Sequence, residues 1–238
     1  MIGMNYDYPE GSYERRAEIE ADHESYIRGL LYFLSHDPGV TPDIRAEMSS
    51  WGWAKDEFTD NNYFPYKLYI REARRMIGEY VMTEHHCLGD SIAPGAIGMA
   101  AYTMDSHNCQ RVVVHENGKA MVRNEGDVQV GGFPPYPIAY HALTPKQEEC
   151  TNLLVPVCLS ASHIAYGSIR MEPVFMVLAQ TAAVAASMAI DQRSSVQEID
   201  IPKLQKKLEE DPYLDGTLPD ILSDNEDEGR AIINGNWE

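Results

Sequence analysis

The pattern of hydrophobic and polar positions is helical in the first third of the chain and alternates in the middle third. The segment GSYERRAEIEADHESYIRGLLYFLSHDPG places aliphatic residues from Ile27 to Leu34 on one stripe, which predicts a helix that ends at Pro38-Gly39. TPDIRAEMSSWG predicts a second helix, with Thr41 as its N-cap. KLYIREARRMIGEYVM predicts a third helix.

The middle third reads as β structure. QRVVVHENGKAMVRNEGDVQVGG predicts a hairpin, because Asn117-Gly118 suits the tight turn between two β-rich arms. YPIAYHALTP alternates and predicts a further strand, and NLLVPVCL predicts a short buried strand.

The last part of the chain predicts a loop, a long Ala-rich helix that begins near Glu172-Pro173, and a short amphipathic helix with Asp200 as its cap. Helices first, strands next and one strand–loop–helix unit last predict an α+β chain with a mixed or antiparallel sheet. The predicted division is a helical region at 1–90, a β-rich region at 91–150, the strand–loop–helix at 151–195, and a short helix with an acidic tail at 196–238.

Length and charge narrow the classes of function. The 238 residues allow one large domain or two small ones. A net charge of -18 argues against a nucleic-acid partner, since phosphates would not be neutralised. Ten acidic residues and one arginine lie between Glu209 and Glu238, which predicts a solvated tail.

Neither a membrane span nor a signal peptide is predicted. The apolar segment Pro173 to Ile190 is barely long enough to span a membrane and contains polar residues such as Gln180, so we expect a buried core helix. The N-terminal residues have no apolar core of the signal-peptide kind, and the compartment is not assigned.

No metal site is predicted. The four cysteines, Cys87, Cys109, Cys150 and Cys158, show no metal-ligand spacing, so free thiols are expected, with one disulfide left open. The adjacent His85 and His86 point in different directions in regular structure and are expected to be structural.

The segment CLSASHIAYGSIRMEP has features of an anion site. A helix that starts near Pro173 offers free N–H groups and a positive dipole end. Hydroxyls, a glycine and a fixed positive charge precede it: Ser160, Ser162, Ser168, Gly167 and Arg170. An anionic cofactor with a flat ring would suit this arrangement, although an ordinary strand–helix crossover fits the residues equally well.

The same segment resembles the C-terminal flavin-binding signature of an FAD-dependent oxidoreductase family of polysaccharide-degrading bacteria. The matched positions are Ser160, Ala161, Ser162, His163, Ala165, Gly167, Ser168, Arg170 and Pro173. The likeness continues through YIREARRMIGEYVMTEHHC, IGMAAYTMDSHNCQRVVV and NEGDVQVGGFPPYPIAYHAL, and covers about Ser25 to Pro219. Relatives often carry the label xanthan lyase, which we treat as transferred between sequences.

The resemblance implies a glutathione-reductase-like FAD fold in which the last helix points its N-terminus at the pyrimidine edge of the flavin. The implied FAD contacts are the matched residues from Ser160 to Pro173, and a substrate domain would cover the ring. The GxGxxG fingerprint for the pyrophosphate is absent from the sequence, since Gly95 to Gly98 and Gly131-Gly132 do not follow it. The resemblance therefore implies a C-terminal portion whose N-terminal dinucleotide-binding half is missing. Such a chain is expected to bind FAD weakly or not at all and to be inactive alone.

Several side chains are candidates for chemistry. His163 is a candidate acid or base beside the flavin, with a loop-bracing role as the alternative. Asp105 and His107 would face one side of a strand, so that Asp105 orients His107, or they simply form a polar strand end.

Four further residues are candidates for substrate binding. Arg71 would share a helix face with Arg74 or with Arg75, and such a pair would bind a carboxylated sugar. The alternative is that this face is only solvated. Tyr136 and Tyr140 would stack on a sugar or cover the flavin, unless they only pack.

The leading interpretation is the C-terminal part of an FAD-dependent oxidoreductase that oxidises a carbohydrate or similar small polar molecule by hydride transfer. One alternative is a polysaccharide lyase that uses His107, Tyr140 and Arg71, and another is a non-catalytic binding or structural module. The expected partners are a small-molecule or glycan substrate and the missing half, with export suggested by the glycan association of relatives.

Overall fold

The computed structural model describes residues 1–70 and 72–210 and, beyond them, the backbone of two short strands. The helices are α1 (Tyr13–His36), α2 (Pro42–Ser49), α3 (Glu84–Leu88), α4 (His163–Ile169), α5 (Glu172–Gln192) and α6 (Ile201–Glu210). The strands are β1 (Ala96–Ala100), β2 (Met104–Ser106), β3 (Gln110–Glu116), β4 (Lys119–Glu125), β5 (Val128–Val130), β6 (Tyr136–Ala139), β7 (Ile221–Ser223) and β8 (Arg230–Ile232). Arg71 and most of the acidic tail lie outside the described residues.

The strands form antiparallel pairs, β1 with β6, β2 with β5, β3 with β4 and β7 with β8. The fold is therefore α+β, with small antiparallel sheets. The chain forms two compact units, each built from two segments. Unit 1 contains Met1–Arg74 and His107–Asp127, and unit 2 contains Arg75–Ser106 and Val128–Glu238.

In unit 1 the helix predicted for the first third is present as α1. Ser12 caps it, since the Ser12 side chain accepts a hydrogen bond from the Arg15 backbone N–H (3.3 Å). The aliphatic stripe is not a closed core, because Leu30 and Leu31 are 41% and 37% exposed. Helix α2 packs against α1 and covers only one side of its C-terminal half.

Unit 1 also contains the β3–β4 hairpin, in which Glu116 pairs with Lys119. The two residues between the strands, Asn117 and Gly118, have φ values of 53° and 75°. Positive φ at both positions is the geometry of the tight hairpin turn whose twist matches the flanking strands.

Unit 2 is built around helix α5, which packs on β1. The Thr181 hydroxyl donates to the Ile97 carbonyl (3.2 Å), which ties the middle of the helix to the strand. Seven residues of α5 are buried: Leu178, Thr181, Ala182, Val184, Ala185, Met188 and Ala189. Helix α6 closes the core with Leu204, and Asp200 caps it as predicted by accepting from the Lys203 N–H (3.0 Å).

By length and composition α5 is the one helix among the described residues that is apolar enough to cross a membrane. Its buried side belongs to the core of unit 2, where the sequence predicts a core helix. Its other side is exposed, with Met176 at 72% and Ile190 at 76%.

The helix predicted for KLYIREARRMIGEYVM is wrong. The segment is extended and donates backbone hydrogen bonds to two distant stretches, from Met76 to the Cys158 carbonyl (2.9 Å) and from Glu79 to the Thr144 carbonyl (3.1 Å). These tertiary bonds outweigh a local helical preference worth only tenths of a kcal/mol per residue, up to about 1 kcal/mol for the glycine.

The regular strand predicted for NLLVPVCL is also wrong. The segment is irregular, and Pro156 cannot donate to a ladder. An isolated parallel bridge between Ala161 and Met82 takes the place of a regular ladder in its continuation. The loop predicted after it contains the short helix α4.

Candidate functional site

The segment from Ser160 to Pro173 is held in unit 2 by backbone hydrogen bonds at its start. The Ser160 N–H donates to the Ala142 carbonyl (2.8 Å), and the Met82 N–H donates to the Ser160 carbonyl (3.0 Å). The Ser160 hydroxyl is fully buried and accepts from the Gly78 N–H (3.0 Å). Ser160 therefore fixes the entry of the segment from inside the protein.

Helix α4 begins at His163 and buries its inner side. Ser162 is its N-cap, since the Ser162 hydroxyl accepts from the Ala165 N–H (3.2 Å). Gly167 lies directly against strand β2, where a Cβ at this position would meet the Asp105 carbonyl oxygen at 2.9 Å. The close backbone approach predicted for Gly167 thus exists, and the neighbour is β2.

Ser168 and the two tyrosines predicted to contact substrate belong to the interior. The Tyr136 hydroxyl donates to the Ser168 hydroxyl (2.6 Å), which in turn donates to the Tyr102 carbonyl. The Tyr140 hydroxyl donates to the Val196 carbonyl (2.7 Å). Burial raises the pKa of both Tyr136 and Tyr140. Neither tyrosine is in the exposed position that stacking on a sugar requires.

Arg170 and Asp105 form an ion pair with each other. The Arg170 Nη2 atom donates to Asp105 Oδ2 (3.0 Å) and to the Asp105 carbonyl (3.2 Å). Their side chains are only 8% and 17% exposed. The positive charge predicted for an anionic cofactor is therefore already compensated by an internal carboxylate. His107 follows the end of β2 and belongs to unit 1.

The two arginines of REARR that the structure describes, Arg74 and Arg75, make separate contacts, since the helix predicted for this segment is absent. In unit 1 the Arg74 side chain pairs with Glu10 (Nη2–Oε2 2.6 Å). In unit 2 the Arg75 Nε atom donates to the Ala161 carbonyl (3.1 Å), and its guanidinium lies 5.6 Å from the centre of the Tyr166 ring. The sequence pattern named Arg75 as an alternative to Arg74 on a predicted helix face, and it did not predict the contacts with Ala161 and Tyr166.

Arg75 and His163 interact electrostatically. Burial, and then the positive charge of Arg75, lower the pKa of His163 below its ordinary value. The neutral form of the imidazole at the start of α4 is therefore favoured over the protonated form more than in a free histidine. A neutral ring can accept a proton at one nitrogen and donate at the other.

Replacing Arg75 with Met is expected to raise the pKa of His163 part of the way toward its ordinary value, because a nearby positive charge is removed while burial, the larger cause of the lowering, remains. The measurement is a pH titration of the imidazole signals by NMR. Arg74→Met is the matched control, since Arg74 pairs with Glu10, and it should leave the pKa of His163 unchanged. Equal shifts in both variants would contradict the assignment.

Helix α5 begins three residues after the end of α4. Its N-cap, Met171, makes no side-chain capping hydrogen bond, and the first intrahelical bond runs from the Phe175 N–H to the Met171 carbonyl (3.1 Å). The backbone N–H groups of Glu172 and Val174 precede that bond. Glu172 and Pro173 are exposed, so a group placed before the helix would face the positive end of its dipole.

Of the two adjacent histidines, His86 makes structural contacts. The His86 Nδ1 atom accepts from the Thr83 N–H (2.9 Å), which caps α3, and its Nε2 atom lies 2.7 Å from the Tyr80 hydroxyl. All four cysteines are free thiols. Within residues 1–70 and 72–210, no group of three or more His, Cys, Asp or Glu side chains is placed to hold a metal ion.

Comparison with known proteins gives one finding. A family model described as FAD dependent oxidoreductase matches residues 2–208. No curated protein matches the chain. No solved structure matches it either.

Proposed function

The chain belongs to the FAD-dependent oxidoreductase family, and from that premise we propose that its segment from Ser160 to Val174 contacts the ring of FAD. The observation that carries the proposal is the start of α5. The helix opens without a side-chain cap, and the backbone N–H groups of Glu172 and Val174 precede its first intrahelical hydrogen bond. The proposed reaction is oxidation of a carbohydrate or similar small polar molecule.

The residues of this chain fit the ring of FAD better than its pyrophosphate. The N–H groups of Glu172 and Val174 suit a ring edge that carries partial negative charge. Arg170 is committed to Asp105, and the chain contains no GxGxxG sequence to receive a pyrophosphate. We therefore assign ring contacts to this chain and assign no pyrophosphate contacts to it.

When bound, the flavin ring supplies the acceptor for a hydride. The positive end of α5 stabilises negative charge placed before it by about 0.3–1 kcal/mol, and by more when partly buried. The His163 side chain lies two residues past Ala161, whose carbonyl accepts from Arg75. His163 is the candidate to take up a substrate hydroxyl proton, and burial together with the Arg75 charge lowers its pKa.

The pyrophosphate and adenosine contacts are proposed to come from a polypeptide that carries a dinucleotide-binding strand–turn–helix. The exposed side of α5 supports this proposal. It carries Met176, Val177 and Ile190 on a helix whose other side is core. Apolar side chains exposed along one helix face are typical of a surface that another element covers.

The test is a titration of the purified chain with FAD and, separately, with riboflavin, followed by quenching of flavin fluorescence. We expect saturable but weak binding, with dissociation constants that agree within about threefold, because only the ring is contacted. FAD binding about a hundredfold tighter than riboflavin binding would place pyrophosphate contacts in this chain. Absence of saturable binding by either flavin would overturn the ring contact.

A further inference from the structure

Unit 1 contains an open groove of about 380 Å³ that the flavin chemistry does not use. It lies between the C-terminal half of α1 and the residues that follow α2. Four of its nine lining residues carry aromatic rings, namely Tyr32, His36, Trp51 and Trp53, and the others are Arg28, Leu31, Ser35, Met48 and Gly52. We call this surface the aromatic groove.

The aromatic side chains of the groove are exposed as well as apolar. Trp51 is 74% exposed, Tyr32 is 66% exposed and Trp53 is 41% exposed. An exposed tryptophan is unusual, because burial of its side chain would remove one of the largest apolar areas of any residue from water. Several such residues around one concavity of this volume are typical of a binding site for a ring-shaped ligand.

Stacking in the groove is already organised by the protein. The Tyr32 and His36 rings stack with their centroids 4.2 Å apart and an interplanar angle of 11°. The Arg28 guanidinium lies 4.5 Å from the centre of the Trp53 ring. It is held there by Glu24 (Nε–Oε1 2.7 Å) and by the Asn62 carbonyl (2.7 Å). These four side chains are therefore held in place before a ligand binds, which lowers the conformational entropy that binding would cost.

The charge of the groove selects against ionic ligands. Arg28 is the one formally charged residue among the lining residues, and Glu24 compensates it. The whole chain carries -18, which repels anions and gives nucleic acids no electrostatic attraction. A neutral ligand that combines an apolar ring face with a polar rim matches this surface.

We propose that the aromatic groove binds a neutral glycan, with one pyranose ring on Trp51. The C–H groups of a pyranose form an apolar face that packs on an indole, while its hydroxyls remain at the edge. The Ser35 hydroxyl, which donates to the Leu31 carbonyl (2.7 Å), lies at the groove and can accept from a sugar hydroxyl, and the Nη1 group of Arg28 can donate to one. The groove belongs to unit 1, and the residues proposed to contact the flavin belong to unit 2.

Intrinsic fluorescence tests the proposal, because two of the three tryptophans of the chain line the groove. Cellotetraose, xylotetraose and mannotetraose are titrated separately, with a hexaproline peptide as a non-glycan ligand for aromatic grooves. At least one tetraose is expected to give a saturable emission change with a dissociation constant of about 0.1–10 mM, as suits an open site. Trp237→Phe should leave that change intact.

Calorimetry of two variants locates the site. Trp51→Ala is expected to weaken binding of the responding tetraose about tenfold. Tyr13→Ala is the matched control: Tyr13 is 85% exposed at the opposite end of α1 and should leave the affinity unchanged. Circular dichroism checks that both variants keep their fold. No response to any tetraose, binding of hexaproline alone, or equal affinity in wild type and Trp51→Ala would each overturn the proposal.

Discussion

Replacing Arg170 with Met is expected to lower the free energy of unfolding of unit 2 by about 3–5 kcal/mol. The substitution keeps most of the apolar stem but leaves the Asp105 carboxylate, 17% exposed, without its cationic partner. It also removes the donor to the Asp105 carbonyl (3.2 Å) that ties the junction of α4 and α5 to β2. Urea unfolding followed by far-ultraviolet circular dichroism measures the change.

The double variant Asp105→Leu with Arg170→Met separates the two parts of this effect. Removal of both charges leaves no uncompensated carboxylate, so most of the lost stability should return. A loss below about 1 kcal/mol in Arg170→Met would show that solvent screens the pair, as it does for exposed ion pairs. In that case the pair would not be what holds the segment in place.

Replacing Gly167 with Ala is expected to lower the free energy of unfolding by about 3 kcal/mol. The new Cβ would lie 2.9 Å from the Asp105 carbonyl oxygen and 3.3 Å from the Asp105 nitrogen, and backbone atoms of a paired strand cannot swing aside. Helix α4 would have to move away from β2, which disturbs the Arg170–Asp105 pair as well.

Gly29→Ala is the matched control for this prediction. Gly29 lies inside α1, and a Cβ there would meet nothing within 4 Å. That substitution is expected to stabilise unit 1 by up to about 1 kcal/mol, since alanine is the better helix former. Similar losses from both glycine substitutions would show that the close contact with Asp105 is not the cause.

The elements that the sequence predicts well are those decided by nearby residues. Helix α1 ends before Pro38, α5 begins at Glu172-Pro173 and α6 is capped by Asp200, because caps and prolines act within one turn. The absence of the helix predicted for KLYIREARRMIGEYVM was not predictable in this way. It depends on backbone hydrogen bonds from Met76 to Cys158 and from Glu79 to Thr144, pairs that are 82 and 65 residues apart in the chain.

The same distinction applies to the candidate site. The order of Ser, His, Gly and Arg residues predicts a ligand loop, but the partners of Gly167 and Arg170 come from β2, which the local sequence does not reveal. Tyr136 and Tyr140 have the composition of a sugar-stacking pair, yet their hydroxyls find acceptors inside unit 2. The exposed aromatic residues Trp51 and Trp53 lie after α2, where the sequence pattern predicts only the end of a helix.

We propose that a flavin ring lies before the first turn of α5. Amide chemical-shift mapping during a riboflavin titration of the purified chain tests this placement of the ring most directly. We expect the largest shifts at the backbone amides of Glu172 and Val174, with smaller ones at His163. Shifts that concentrate elsewhere, or none at saturating riboflavin, would contradict the assignment of this segment to the flavin.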